Sequence, residues 1–252
     1  SKEERWEVQA KNILIAAGAY EKGIPIPGWT LPGVMTTGAA QTLLRSYQVA
    51  LGEKIVISGN GPLNLQMAAE LISAGVEVVA LAETSKPLSL RNSLRSLLLF
   101  YYSPKLFISG VRYMYLIAKA RVPFFQSAAA SNFFGEERVE SVEISKIDKG
   151  GVPLKVLAKL EVDSVALGFG FSPSSEIART LGCAHTFDAK QDVLVANRDS
   201  KGRSSVSGIW IAGDSGVIGG AQVAIAEGTI AAFSILEEFD IDLPKSVKAV
   251  SY

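Results

Sequence analysis

The residues best suited to chemistry lie near the carboxyl end, where an acid follows an apolar strand and precedes a glycine-rich turn. The segment from Ser207 to Ala232 reads SGIWIAGDSGVIGGAQVAIAEGTIAA. It predicts a buried strand at 209–212, a turn at Gly213 and Asp214, and then a helix of small residues. A carboxylate at a strand end can accept a hydrogen bond from a sugar hydroxyl. The following helix can direct free N–H groups toward a phosphate or an electron-rich ring.

This order of elements favours a flavin site. Asp214 would accept a hydrogen bond from a ribityl or ribose hydroxyl, and the glycines of the turn would leave room for a flat ring to approach the backbone. These glycines are Gly216, Gly219 and Gly220. The alternative is an ordinary strand–turn–helix unit in which Asp214 only caps the helix.

A second strand–turn–helix unit lies at residues 54–83, which read KIVISGNGPLNLQMAAELISAGVEVVALAE. The pattern predicts a strand at 55–58, a helix at 62–73 and a second strand at 76–81. Pro62 suits the first position of the helix, where the missing N–H has no intrahelical partner to lose. This is the arrangement of a dinucleotide-binding βαβ unit.

The turn of this unit contains Gly59 and Gly61, and Glu83 follows Gly59 by 24 positions. A ribose-binding acid is expected about 20 residues after the first glycine of the nucleotide fingerprint. The third glycine of that fingerprint is replaced by Asn64. The alternative is therefore a structural βαβ unit whose nucleotide site is lost or altered.

Composition limits the class of protein. The 252 residues include 25 Lys and Arg and 25 Asp and Glu, so no net field would attract nucleic acid or an anionic membrane. The mean hydropathy of +0.25 allows a large core and hints at partner surfaces. One cysteine, Cys183, excludes an internal disulfide and fits a reducing compartment. Residues 1–10 lack a signal-peptide core and no run of 18 apolar residues occurs, so we expect a soluble, cytoplasmic α/β protein.

The elements before the first glycine turn are a strand and an extended connection. Residues 5–20 alternate and then form an apolar run that ends at Gly18, as in a strand covered on both faces. The proline-rich stretch at 24–34 can be neither helix nor central strand. Thr36 or Thr37 can cap the short helix that follows.

The middle of the chain predicts helices and then a flap. Apolar residues at helical spacing predict two helices separated by Pro104, and packing inside the protein is favoured over a membrane-surface or partner-binding role. The spaced residues are Leu94, Leu97, Leu98 and Tyr101, and then Ile108, Val111, Tyr115 and Ala118. Alternating segments at 122–128, 138–146 and 154–160 predict an antiparallel flap over one face of a parallel sheet.

Residues 161–172 repeat the pattern of residues 8–20, a buried strand that ends in glycine, which suggests two related sheets in one chain. Cys183 and His185 stand near each other without further potential ligands, so they receive neither a metal role nor a nucleophilic role. The sequence offers no metal site and no side-chain acid, base or nucleophile for catalysis.

Four motifs in this order resemble the two-dinucleotide-fold flavoproteins of the pyridine nucleotide–disulfide oxidoreductase superfamily. They are AKNILIAAGAYEKGIPIPG, KIVISGNGPLNLQMAAEL, VDSVALGFGFSPSSE and SGIWIAGD. More narrowly, GWTLPGVMTTGAAQTLL and GNGPLNLQ resemble the A or alpha subunits of opine oxidase, hydrogen cyanide synthase and dye-linked L-proline dehydrogenase.

The resemblance implies an α/β, Rossmann-like fold with two dinucleotide-binding domains and an antiparallel β flap. Residues 1–50 would be a partial FAD-binding domain and linker, 51–171 an NAD(P)-binding-like Rossmann domain, and 172–252 the C-terminal part of the FAD-binding domain. The family's first βαβ unit, which holds the flavin pyrophosphate, has no counterpart before Ile13. The resemblance therefore implies that the fold is N-terminally incomplete and that the parent protein is longer.

The resemblance also implies which residues bind cofactors. For FAD they are Gly18, Gly213, Asp214 and Gly220, with Ala221, Gln222 and Val223 at the pyrimidine edge of the flavin. For NAD(P)H or another adenine nucleotide they are Gly59, Gly61, Pro62 and Glu83.

Two redox groups found in relatives are missing. Thioredoxin-reductase-like relatives carry a cysteine pair where residues 37–40 here read TGAA, so disulfide exchange is excluded. Some relatives add a four-cysteine iron–sulfur module, which a chain with one cysteine cannot ligate.

The function implied is part of an FAD-dependent oxidoreductase subunit. The expected enzyme is a heteromeric dehydrogenase of an amino or imino acid, of opine, proline or glycine type, in which the partner is a second flavoprotein subunit. One alternative is an NAD(P)H-dependent flavoprotein reductase of a small acceptor. The other is a non-catalytic nucleotide-binding or assembly subunit.

Overall fold

A computed structural model describes residues 7–85 and 104–239. The chain divides into two compact units. We call Glu21–Gly170 the central unit, and Ser1–Tyr20 together with Phe171–Tyr252 the terminal unit.

The described elements are as follows in chain order. The strands are β1 (Ile13–Ile15), β2 (Ala19–Glu21), β3 (Val34–Thr36), β4 (Lys54–Gly59), β5 (Glu77–Glu83), β6 (Phe124–Gln126), β7 (Ala128–Phe134), β8 (Ser141–Ile147), β9 (Pro153–Glu161), β10 (Ser164–Gly168), β11 (Phe171–Pro173), β12 (His185–Asp188), β13 (Val193–Ala196) and β14 (Ile209–Ile211). The α-helices are α1 (Thr37–Tyr47), α2 (Pro62–Ser73), α3 (Pro104–Lys119), α4 (Glu176–Thr180) and α5 (Ala221–Glu238), and a 3-10 turn covers Gly213–Ser215.

The central unit is built on a five-stranded parallel sheet in the order β3-β10-β4-β5-β6. β10 is buried throughout, and β4 is buried after its first residue. This explains why both strands read as solid apolar runs. One core cluster contains Ile57 of β4, Met67 of α2 and Ile117 of α3, and a second contains Val56 of β4 and Val142 of β8. The sheet therefore lies between a helical layer and the flap.

The helices that flank the central sheet begin where the sequence predicts. The hydroxyl of Thr36 caps α1 by accepting the N–H of Ala39 at 3.3 Å. Pro62 is the first residue of α2, and the observed helix has the predicted bounds.

The flap consists of β7, β8 and β9, which pair in antiparallel order, as predicted. The prediction of one flap strand at 122–128 was wrong. β6 in that segment pairs in parallel with β5 at the edge of the central sheet. Ser127, at a φ of 52°, separates β6 from β7. The alternation of apolar and polar residues does not show where one strand ends and the next begins in another sheet.

The stripe predicted to pack α3 into the protein is instead exposed. Ile108, Val111 and Tyr115 are 61%, 54% and 63% exposed, whereas Ile117 is 2% exposed. Helical spacing defines the faces of α3, but packing decides which face meets the sheet. The other predicted stripe, from Leu94 to Tyr101, lies outside the described residues.

In the terminal unit, β1 and β14 form a two-stranded parallel sheet, and β12 and β13 form an antiparallel pair. The indole N–H of Trp210 on β14 donates to the hydroxyl of Ser234 on α5 at 3.1 Å, and both residues are 1% exposed. Only Ala231 and Ser234 of α5 are buried. Apolar side chains that remain exposed include Ile13, Leu14, Val223 and Ile225.

The observed units differ from the predicted domains at one boundary. Residues 21–50 lie in the central unit rather than with the partial FAD-binding domain. The reason is that β3 pairs with β10 and α1 also contacts β10. Across the described ranges, no helix is long and apolar enough to cross a membrane.

Candidate functional site

The glycine turn of the central unit lies between the end of β4 and the start of α2. Its backbone is fixed by the carbonyl oxygen of Gly168 on β10, which accepts the N–H of Asn60 at 2.7 Å. Gly59 adopts a φ of 151°, and a Cβ atom there would lie 1.9 Å from the same oxygen. A glycine is therefore required at this position for the strand and the turn to approach.

Glu83 lies at the end of β5, and the structure brings its side chain to this turn. Its Oε2 accepts the N–H of Gly61 at 3.3 Å, and its Oε1 accepts the N–H and the hydroxyl of Ser85 at 3.2 and 3.0 Å. Glu83 is 3% exposed. Burial raises the pKa of its carboxyl group above the ordinary value, and the hydrogen bonds from Ser85 and Gly61 oppose that rise.

The start of α2 is open to a ligand. Gly61 is its N-cap at a φ of 93°, with no side-chain cap, and no atom lies within 4 Å of the place that a Cβ atom would occupy. Pro62 is exposed and has no N–H. The first N–H groups of a helix have no partner within it, so this end offers donors and a partial positive charge to an anion. The arrangement fits a nucleotide phosphate.

In the terminal unit, Asp214 closes the loop that precedes α5. Its Oδ1 accepts the N–H groups of Gly219 and Gly220 at 2.9 and 3.1 Å. Asp214 is half-buried. The first intrahelical bond of α5 joins the N–H of Ala224 to the carbonyl of Gly220. The three N–H groups before Ala224 have no partner within the helix.

The three residues predicted at the flavin edge form the exposed first turn of α5. They are Ala221, Gln222 and Val223. Gly220, at a φ of 80°, has open space where a side chain would project. These donors, the open space and the carboxylate of Asp214 fit the polar part of a flavin cofactor.

Two glycines of this loop lie against side chains of the protein. A side chain on Gly216 would collide with the guanidinium of Arg198, and one on Gly219 would collide with Val223. The side chains of Arg198 and Val223 thus lie beside these two glycines, and the approach of a ring to them stays a prediction. Gly18, at a φ of 73°, follows β1, and its carbonyl accepts the N–H of Ser174 at 3.0 Å.

An ion pair that the sequence did not reveal holds the Asp214 turn. The guanidinium of Arg198 donates to the Ile211 carbonyl at 3.0 Å and to Oε1 of Glu227 at 2.8 Å. Oε2 of Glu227 accepts the N–H of Gly213, at a φ of 68°, at 2.8 Å. The side chains of Arg198 and Glu227 are 12% and 25% exposed. No spacing rule connects these positions, which meet only through folding.

Cys183 and His185 lie close together in the terminal unit. Cys183 is buried, and His185 contacts its carbonyl oxygen through Nδ1 at 2.8 Å. No group of three or more potential ligands among the described residues could hold a metal ion.

The chain belongs to the pyridine nucleotide-disulphide oxidoreductase family, whose model matches residues 1–228. Proteins of this family are oxidoreductases that act with a pyridine nucleotide.

Among curated proteins, the chain is 33% identical over 230 residues to the A subunit of opine oxidase from Rhizobium meliloti (strain 1021), a match that covers 90% of this chain and 49% of that protein. It is 31% identical over 231 residues to the HcnB subunit of hydrogen cyanide synthase from Pseudomonas aeruginosa, a match that covers 91% and 48%. The chain thus spans about half the length of the curated relatives it matches.

Solved structures share the fold at lower identity. An FAD-dependent pyridine nucleotide-disulphide oxidoreductase from Desulfovibrio vulgaris matches with a TM-score of 0.66 and 21% identity, over 96% of this chain and 58% of that one. L-proline dehydrogenase from P. horikoshii matches with a TM-score of 0.58 and 18% identity, over 96% and 38%.

Proposed function

We propose that the chain is part of the flavoprotein subunit of a heteromeric dehydrogenase that oxidises an amino or imino acid of opine, proline or glycine type. The observation that carries the proposal is the presence of two strand–turn–helix sites, each with its own acid. The chain that contains these two sites is similar, over 90% of its own length, to the A subunit of opine oxidase. Similarity to the alpha subunit of a sarcosine oxidase supports the same substrate class.

In the terminal unit, Asp214 would bind the flavin. Its Oδ1 is engaged by the loop, so Oδ2 would accept a ribityl or ribose hydroxyl. The free N–H groups of Ala221, Gln222 and Val223 would face the pyrimidine edge of the flavin, with Gly18, Gly213 and Gly220 around the cofactor. When bound, FAD supplies the electron acceptor, and the protein positions it and tunes its potential.

In the central unit, Gly59, Gly61, Pro62 and Glu83 would hold NAD(P)H or another adenine nucleotide. The open start of α2 would receive the phosphates. Three protein donors already contact the Glu83 carboxylate, which leaves one of its roughly four acceptor sites for a ribose hydroxyl.

The proposal includes two partners. An amino-terminal βαβ segment of the complete protein would complete the flavin site, and a second flavoprotein subunit would join it. Such a partner would cover exposed apolar side chains of the terminal unit. Several relatives are named as subunits. The single cysteine supports a reducing compartment such as the cytoplasm.

A second candidate is an NAD(P)H-dependent reductase of a small acceptor. The contact between Glu83 and the glycine turn favours it, because the acid lies where a nucleotide ribose would bind. A non-catalytic nucleotide-binding subunit is the third.

The test is anaerobic reduction of the flavin in the full-length protein, purified with its co-expressed partner. We expect an opine, proline or glycine substrate to bleach the visible flavin band within the turnover time. Rapid bleaching by NADH alone would select the reductase. Tight nucleotide binding without bleaching by either class would select the non-catalytic subunit.

The role of Asp214 is tested by Asp214→Ala in the same protein. We expect flavin affinity to fall by about tenfold or more, because a charged hydrogen bond to the cofactor is lost. Asp188→Ala is the matched control, since Asp188 also accepts two loop N–H groups, those of Lys190 and Gln191, in the turn between β12 and β13. Unchanged flavin content in Asp214→Ala would contradict the assignment.

A further inference from the structure

Asn64 stands where the nucleotide fingerprint has its third glycine, and its side chain joins three elements. It lies in the first turn of α2 and is 1% exposed. Its Nδ2 donates to the Gly168 carbonyl on β10 at 3.0 Å, and its Oδ1 accepts the hydroxyl of Thr37 on α1 at 2.9 Å. Thr37 is fully buried. The amide therefore connects α2 to both β10 and α1.

The same carbonyl oxygen fixes the glycine turn. Gly168 accepts the N–H of Asn60 as well as the side chain of Asn64. A buried carbonyl oxygen has two lone pairs, and here one binds the turn and the other binds the helix. The position of the turn relative to α2 is thus set through one shared acceptor.

The third glycine of the fingerprint normally allows the helix and the strand to approach closely. Here a glycine on the strand, Gly168 of β10, allows that approach instead. A Cβ atom on Gly168 would lie 2.1 Å from Oδ1 of Asn64 and 2.7 Å from the hydroxyl oxygen of Thr37. The space that a helix glycine leaves in the usual fingerprint is left here by a strand glycine. The absence of a side chain at Gly168 therefore compensates for the side chain of Asn64. Asn64 is thus compatible with an intact turn.

We propose that Asn64 is a positioning residue that holds the turn at Gly59, Asn60 and Gly61 in its nucleotide-binding conformation before the nucleotide arrives. The proposal rests on the nucleotide-binding role proposed above for the central unit. A turn that is ordered in advance binds more tightly, because less conformational entropy is lost when the ligand arrives.

The test combines two variants with two controls. Asn64→Asp keeps the shape but places an oxygen opposite the Gly168 carbonyl, and Thr37→Val keeps the shape but removes the hydroxyl donor. Thr37→Ser retains that donor and is the control for Thr37→Val. It should show the exchange rate and the Kd of the wild type. Ile55→Val, at the far end of β4, is the control for a general loss of stability, because Ile55 is fully buried and lies at the opposite end of the strand from the turn.

Two quantities are measured in the full-length protein. The first is amide hydrogen exchange at Asn60 and Gly61 without ligand, and the second is the Kd for NADH and for ADP. We expect about tenfold faster exchange and about tenfold weaker binding in Asn64→Asp, a smaller change of the same sign in Thr37→Val, and neither change in Ile55→Val.

Unchanged exchange at Asn60 in Asn64→Asp would overturn the proposal, and so would faster exchange with unchanged Kd. The proposed function fails in a different way. If the wild-type protein binds neither NADH nor ADP, the nucleotide-binding role is contradicted, while the exchange data still decide whether Asn64 holds the turn.

Discussion

The two units place their acids differently relative to the glycine turn. In the central unit, Glu83 lies on the strand beside the turn and is buried, and the turn is also tied to β10 through Gly168. In the terminal unit, Asp214 lies within the turn and is half-buried, and its contacts are to its own loop. The first turn is tied to the sheet around it, whereas the second is closed by Asp214 within its own loop and is tied to α5 by the Arg198–Glu227 pair.

The helices after the two turns show the same difference. α2 buries five residues, among them Met67 and Leu71, against the central sheet. α5 is longer but buries only two residues, and the Arg198–Glu227 pair ties it to the turn. Apolar packing thus holds α2 in place, whereas polar contacts contribute much of the attachment of α5. Three predictions test this contrast.

The largest effect is expected from Gly59→Ala. The new Cβ atom would lie 1.9 Å from the Gly168 oxygen at a φ of 151°, so the turn or β10 must move. We expect a loss of about 3 kcal/mol or more in the free energy of unfolding, measured in urea by circular dichroism. Gly220→Ala in the terminal unit is the control. It meets no atom within 4 Å and should cost about 1 kcal/mol from backbone strain alone. Equal losses would contradict the contrast.

A smaller effect is expected from Glu227→Ala. The change leaves the largely buried guanidinium of Arg198 and the N–H of Gly213 without this carboxylate. We expect a loss of about 2 kcal/mol in urea unfolding. Glu70→Ala removes the partner of Arg45, whose side chain is 52% exposed, and should cost less than about 1 kcal/mol. A larger cost for Glu70→Ala would show that the ion pair in the terminal unit is not a main anchor of α5.

The smallest effect is a pH dependence due to Glu83. Because burial raises its folded-state pKa above the ordinary value of 4.5, the folded protein binds more protons than the unfolded chain in the window just above that value. The contribution of Glu83 to the free energy of unfolding therefore falls as the pH rises through this window. The same contribution increases as the pH is lowered. We expect the stability of the wild type relative to Glu83→Gln to increase from pH 7 toward pH 4.5 in urea titrations. The opposite slope would mean that the hydrogen bonds from Ser85 and Gly61 outweigh burial.

Much of the architecture could be predicted from local patterns. The bounds of α2 follow from Pro62 and from the apolar spacing, and the antiparallel flap follows from alternation and glycine turns. The contact between Gly61 and Glu83 follows from the regular geometry of a βαβ unit. These features depend on residues close in sequence or on a repeated supersecondary unit.

Other features could not be predicted, because they depend on side chains that meet only after folding. Arg198 and Glu227 are joined across 29 positions. The spaces beside Gly216 and Gly219 are filled by Arg198 and Val223, which no count of glycines reveals. On α3, the face that contains Ile117 is buried, whereas the predicted apolar stripe is exposed. The spacing of apolar residues does not tell which face packs.

The sequence alone determined the order of strands and glycine turns, the acids that follow them, and the absence of a cysteine pair, because these are properties of residue type and spacing. The tertiary structure decided that Asn64 is compatible with an intact nucleotide turn. That conclusion requires Gly168, 104 positions later, to leave the space that Asn64 fills and to offer the carbonyl that it binds. Only the packing of β10 against β4 brings the two residues together.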